Sequence, residues 1–401
     1  MPSVPREAWL RLAACAAAAA LLQIDGTIVT VALPSVRSEL GVGSHTVAWV
    51  LTAYFAAYAL ALFPGGRLVD RYGTRVITFA GLALFCAGLV GGALAGSFAV
   101  LVASRVVQGA GAGLVSPASL AGAVSGFPPE RRGAALGIWG ASSGAANLVG
   151  PLLGGVLTQL IDWRACWWAL VALSFVVAAL VARFVPARTE PVDETIGPLD
   201  GQRVIRAATL VAGLTFVVMI GTFFIAQIYL QEVAGYSAIG AAGALVVVAV
   251  LVAVGAPVAG RLADAYGERV PAVAGFLVTG AALAVLGVPG APLEGAGALP
   301  LLCPIGFGLG MLFVPASRAA LNSVPVARHG RVSAVLSFAR LAGAALGSGL
   351  AGLALAPGVT GTHVHRALLG AAAVCLLAGL PAAAQLGGAA PRAPESAPSP
   401  L

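Results

Sequence analysis

Lysine is absent from this chain. All 22 basic residues are arginine, and only 15 residues are acidic. Charged residues make up 9% of the sequence, whereas soluble domains carry about 25%. Hydrophobic residues make up 59%. So little charge cannot cover a water-soluble fold of 401 residues. A soluble enzyme or binding domain is thereby excluded, and lipid becomes the solvent for most of the surface.

Cysteine is scarce as well. Cys15, Cys86, Cys166, Cys303 and Cys375 stand singly inside apolar runs. With no Cys-x-x-Cys and no Cys/His ligand spacing, neither a disulfide framework nor a metal site is expected. The four histidines, His45, His329, His363 and His365, fall in loops or at span edges. Gly140-Ala141-Ser142-Ser143-Gly144 matches a hydrolase pattern, but it lies in an apolar helical run rather than a strand–turn–helix. A serine without a buried base is not an activated nucleophile. No enzymatic activity and no cofactor are expected. The net charge of +7 sits in short loops, where arginine orients membrane helices; nucleic acid is not an expected partner.

What the chain has in abundance is long apolar runs. A membrane helix needs about 20 mostly apolar residues. Twelve spans are predicted, at 12–33, 46–64, 76–96, 98–124, 134–158, 165–185, 207–230, 238–259, 271–289, 299–321, 332–355 and 366–386. The first run is too long for a signal-peptide core and contains Asp25, so it reads as a retained span. With the N-terminus placed in the cytosol, inside segments hold 17 arginines and outside segments hold 3, namely Arg37, Arg164 and Arg366. This asymmetry predicts a multi-pass protein with both termini cytosolic. The polar stretch 186–206 reads as a cytosolic linker between bundles at 1–185 and 207–386. The Pro/Ser-rich tail at 387–401 reads as disordered.

The two halves are related. Gly66-Arg67-Leu68-Val69-Asp70-Arg71-Tyr72-Gly73-Thr74-Arg75-Val76 recurs 194 positions later as Gly260-Arg261-Leu262-Ala263-Asp264-Ala265-Tyr266-Gly267-Glu268-Arg269-Val270. A looser echo links Gly109-Ala110-Gly111-Ala112-Gly113 to Gly306-Phe307-Gly308-Leu309-Gly310, each followed by Pro-Ala-Ser. The expected fold is therefore all-α and membrane-integral, two six-helix bundles in parallel repeat. Secondary transporters are often built this way, with the site near the midplane between the halves. A carboxylate in such a tight turn can face a helix N-terminus. With its flanking arginines it can then form a contact that exists in only one of two states. Gly66, Asp70, Arg71, Gly73, Arg75, Asp264, Gly267 and Arg269 are the candidate switch residues.

Asp25 is the one acid well inside a span. Burying a charge there costs about 2.5–3.5 kcal/mol on insertion scales. A buried carboxylate that can take a proton is what proton coupling requires. Arg105, in the fourth span, lies at a similar depth below the outer surface and is the natural partner. Gln108, Arg340 and Asn147 are further candidates for cavity positions. Gly150-Pro151-Leu152-Leu153-Gly154-Gly155, in the fifth span, combines a bend with glycines that let another helix approach closely.

In these segments the chain resembles the major facilitator superfamily. The loop from Gly66 to Val76 is similar to that family's signature between helices 2 and 3. Leu101 to Gly111 resembles its helix-4 motif, in which an arginine is implicated in proton transfer, and that arginine matches Arg105. The Gly150-Pro151 segment resembles the antiporter motif of helix 5, with Ala146 where the leading glycine usually stands. Ile24-Asp25-Gly26-Thr27-Ile28-Val29-Thr30-Val31-Ala32-Leu33-Pro34 resembles the helix-1 signature of the fourteen-helix drug:proton antiporters, with Thr30 in place of the usual asparagine. The short linker leaves no room for that branch's two extra helices. The resemblance implies a monomeric plasma-membrane exporter of small, mostly lipophilic molecules, driven by the proton-motive force. A nutrient:proton symporter and a non-transporting membrane sensor are the alternatives to it.

Overall fold

The computed structural model describes residues 4–186, 202–291, 295–324 and 329–386. Twelve long helices follow one another: α1 (Arg6–Leu40), α2 (Trp49–Tyr72), α3 (Thr74–Ala93), α4 (Phe98–Val124), α5 (Pro129–Leu160), α6 (Arg164–Phe184), α7 (Gln202–Glu232), α8 (Ala238–Tyr266), α9 (Arg269–Gly287), α10 (Gly295–Asn322), α11 (His329–Ala354) and α12 (Gly361–Ala384). A single turn of helix, Ser44–Val47, leads into α2, and a π-helical stretch, Val374–Gly379, interrupts α12. Helices are the expected answer in lipid, because each satisfies its backbone donors and acceptors internally. Among the described residues, eleven helices are long and apolar enough to cross a membrane. α5 adds the shorter apolar stretch Val149–Leu160.

The helices extend beyond the predicted spans. α1 continues through Pro34 to Leu40 and stops at Gly41, whose φ of 62° lets its N–H cap Arg37 O. Residues 202–206, assigned to the linker, form the first turn of α7. The remainder of that linker from 187 to 201, and the tail 387–401, lie outside the described residues. His365, expected at a span edge, is buried in the first turns of α12, and its Nδ1 lies 2.7 Å from Leu286 O. Exposed leucines such as Leu60, Leu353 and Leu377 present an apolar belt to lipid.

Packing repeats between the halves. In the first, α1 packs on α5 and α4 packs on both α2 and α3; in the second, α7 packs on α11 and α10 packs on both α8 and α9. Gly109 brings α4 against the backbone of α2 at Tyr54, and Gly306 brings α10 against α8 at Val248, where a Cβ would collide in either case. The repeated loops also share their geometry. Gly73 (φ 83°, ψ 158°) and Gly267 (φ 80°, ψ 166°) each end one helix and open the next, in a conformation that a side chain would strain. The halves meet through two related seams, α2 on α11 and α5 on α8, with α1 touching α7 between them.

Candidate functional site

α1, α2 and α4 converge on Asp25. Arg105 and Gln108, three residues apart, share one face of α4. Arg105 Nη1 donates to Asp25 Oδ1 at 2.9 Å and Oδ2 at 3.0 Å, and to Gln108 Oε1 at 2.7 Å. Gln108 Nε2 donates to Asp25 Oδ1 at 2.7 Å, and Arg105 Nε donates to Val50 O of α2 at 3.0 Å. The guanidinium carbon lies 4.1 Å from the centre of the Tyr54 ring. Arg105 Nη2 has no acceptor among the described residues, and the Tyr54 face lies against the cation. Asp25, Arg105 and Gln108 are all 0% exposed.

A sealed pair of this kind adds little net stability, because desolvation offsets the attraction. It matters because each partner makes the other tolerable. Protonating Asp25 would remove Arg105's counter-charge while leaving its contacts to Gln108 and Val50 in place. Since no solvent reaches Asp25 in this conformation, proton exchange needs the helices to part.

α5 braces this site. A Cβ on Gly150 would collide with Thr27 Oγ1 and press on Ile24 O, and one on Gly154 would meet Ile28 O. These contacts straddle Asp25 on α1. Gly155, the next residue, is turned about 100° round the helix and meets Ala238 and Ala242 of α8. One motif therefore holds the helix that carries the carboxylate on one face and the second half on another. Pro151 is buried within α5. Ala146, which replaces the usual glycine, is also buried. Asn147 is half-buried on the same helix.

The face where α1 ends is closed by contacts between the halves. Arg37 pairs with Glu232 at the ends of α1 and α7. Gln231 Nε2 donates to Val31 O at 3.0 Å, and Ile239 N donates to Gln159 Oε1 at 3.0 Å. Thr52 and Ser348 hydroxyls are 2.8 Å apart on the α2–α11 seam. Sequence reasoning missed the glutamines, because no motif marks a polar residue that meets its partner only in three dimensions. It also missed Glu39, which accepts from Trp163 Nε1 at 2.6 Å and pairs with Arg164 at 2.8 Å.

At the opposite face, the two copies of the loop behave differently. Asp264 pairs with Arg318 of α10 at 2.6 Å, and Arg318 also donates to Gly260 O at 3.3 Å. The residue equivalent to Arg318 in the first half is Leu120, following Pro-Ala-Ser. Asp70 and Arg71 are exposed, and Arg71 lies over its neighbour Tyr72 at 5.2 Å. Among the described residues, no ion pair joins this loop to the second half. Gly66 and Arg75 are half-buried, and Arg269 is exposed. Arg340 lies apart from all of these, on α11, donating to Ser317 Oγ at 2.7 Å. The apparent hydrolase serine is spent on its own helix, as Ser142 Oγ donates to Ile138 O at 2.9 Å. Among the described residues, no group of three or more His, Cys, Asp or Glu side chains could hold a metal ion.

Among known proteins, the chain is similar to transporters and resistance proteins. The chain is 31% identical to the puromycin resistance protein pur8 of Streptomyces alboniger, over 84% of this chain and 80% of that one. It is 28% identical to the tetracenomycin C resistance and export protein of Streptomyces glaucescens, over 85% of this chain and 74% of that one. Its structure superposes with a TM-score of 0.80 on a bacterial homologue of the human lysosomal transporter Spinster, in an inward-facing and occupied conformation. That match has 18% identity and covers 96% of this chain and 97% of the other. The profile of the Major Facilitator Superfamily matches residues 15–348. With its paired six-helix bundles and doubled loop, this chain belongs to the Major Facilitator Superfamily of membrane transporters.

Proposed function

We propose that the chain is a proton-coupled exporter of small, mostly lipophilic molecules: a drug, an antibiotic or a secondary metabolite. It works by alternating access in the plasma membrane, as a monomer, with both termini cytosolic. The observation that carries this reading is the sealed Asp25–Arg105–Gln108 network. It is a carboxylate whose charge is tolerated only while one arginine holds it, at a junction that must open for a proton to enter. The resistance and export functions named for the two relatives favour export as the direction.

In this reading the structure is the inward-facing state. The Arg37–Glu232, Gln231–Val31 and Thr52–Ser348 contacts shut the outer mouth. Asp70, with no ion-pair partner among the described residues, is free to latch the inner mouth in the other state. Opening to the outside exposes Asp25, which takes a proton and loosens Arg105. On the return the proton leaves toward the cytosol while the helices around Asp25 are still parted, and the pair is then remade as the sealed state seen here. Gly150, Gly154 and Gly155 carry the rearrangement from α1 to α8. Each charge moved across the membrane supplies about 2.3 kcal/mol per 100 mV.

The direction of movement tests this. Everted vesicles containing the chain should accumulate a substrate such as puromycin when energised and lose it when an uncoupler is added. Accumulation in right-side-out vesicles instead would establish import.

A further inference from the structure

Among the described residues, Arg340 is a cation without a paired carboxylate. It sits on α11 eleven residues from His329, about 16 Å into the helix. Its one hydrogen bond among the described residues is Nη2 to Ser317 Oγ at 2.7 Å. No carboxylate among the described residues forms an ion pair with it. Membrane interiors rarely hold an ionised group that is neither paired nor functional. Arg105 shows the contrast, since its charge is consumed by Asp25 and it is wholly enclosed. Arg340 keeps part of its surface open.

The helix geometry says where that surface points. Ala339, Gly343 and Gly347 line the seam of α11 with α7. Phe338, Ala345 and Ser348 line the seam with α2. Leu346, Leu350 and Leu353 are exposed to lipid. At 3.6 residues per turn, Arg340 falls between the two seams on the side turned away from those leucines. It therefore faces the space between the halves. Aromatic rings flank this space. Phe216 and Phe313 approach to 5.6 Å between α7 and α10. Phe313 is one turn from Ser317, the residue that Arg340 contacts.

We propose that Arg340 is the anion-recognition group of the central cavity, and that its ligand is an aromatic molecule carrying an acidic group, a carboxylate or acidic phenol. A guanidinium offers such a group two parallel donors, and the phenylalanine rings take the apolar body. This names the substrate class within the export reading and rests on that reading for its biological sense, although the binding itself does not depend on proton coupling.

Binding to the purified full chain in lipid nanodiscs tests it, with 9-anthracenecarboxylate as a fluorescent probe and 9-anthracenecarboxamide as its neutral match. Wild type should bind the acid about tenfold more tightly than the amide. Arg340→Gln should bind both alike, at the amide's affinity, and Arg340→Lys should keep most of the preference. Equal binding of acid and amide by wild type would overturn the proposal, as would a preference that survives in Arg340→Gln. If Arg340→Gln does not fold, the wild-type ratio and Arg340→Met, closer in volume, decide the matter in the same way. Acid preference without any substrate-driven proton flux would sink the export reading and leave this site standing. Proton flux without acid preference would do the reverse.

Discussion

Arg105 spans the gap from α4 to α1 and grips both oxygens of Asp25 with one nitrogen, at 2.9 and 3.0 Å, in a place that water does not reach. Everything proposed for coupling depends on what happens when one of these charges is cancelled. Removing one member of a buried pair costs about 3–5 kcal/mol, because the other is left uncompensated. Arg105→Gln should therefore lower the thermal unfolding temperature by several degrees. The double variant Asp25→Asn/Arg105→Gln should recover most of that loss. Thermal unfolding in detergent reads both, and a double variant no more stable than Arg105→Gln would contradict an ion pair as the linkage.

The bracing by α5 predicts a steric result. Gly154 meets Ile28 O where even a methyl group has no room, and overpacking a tight interface costs about 1–3 kcal/mol. Gly154→Val should reduce both stability and transport. Gly243, which has open space around it, should tolerate alanine with transport unchanged. Drug-efflux rates of the two variants, at matched membrane levels, make the comparison.

The closed face carries a weaker prediction. Arg37 and Glu232 are partly exposed, at 27% and 21%, and such pairs are worth about 0.2–1 kcal/mol. Arg37→Ala should shift the inward–outward balance by no more than about fivefold. The charge-swapped pair Arg37→Glu/Glu232→Arg should restore it. Distances between spin labels on the outer ends of α1 and α7 would report the shift.

The two loop copies predict an asymmetry. Arg318 satisfies Asp264 within its own half, while among the described residues Asp70 has no ion-pair partner, Leu120 standing in the equivalent position. Leu120→Arg should supply Asp70 with a local partner and slow turnover severalfold, with the protein remaining folded. Arg318→Leu should act on Asp264 in the opposite sense, freeing it. Unchanged turnover in Leu120→Arg would argue against Asp70 as a latch.

Much of this was legible in the sequence because lipid makes simple demands. Apolar runs of span length became helices, and the repeated Gly73 and Gly267 turns formed as matched pairs. Asp25 and Arg105 were paired from depth alone. What stayed hidden was direction. Sequence spacing placed Gly154 and Gly155 together in one motif but did not reveal that they face different halves of the molecule. Gln231, Gln159 and Glu39 carry no motif, and their partners lie on other helices. Helix ends were also misjudged. Apolarity fades before the helix does, so α1 runs through Pro34 to Leu40 and α7 begins inside the stretch read as linker.

The central claim is that a proton enters through Asp25 in exchange for substrate. Substrate-triggered proton release from energised everted vesicles, for wild type and for Asp25→Asn, tests it most directly. The account predicts release from wild type on adding a transported antibiotic, and none from Asp25→Asn present at the same level in the membrane. Equal release from both would contradict Asp25 as the coupling site.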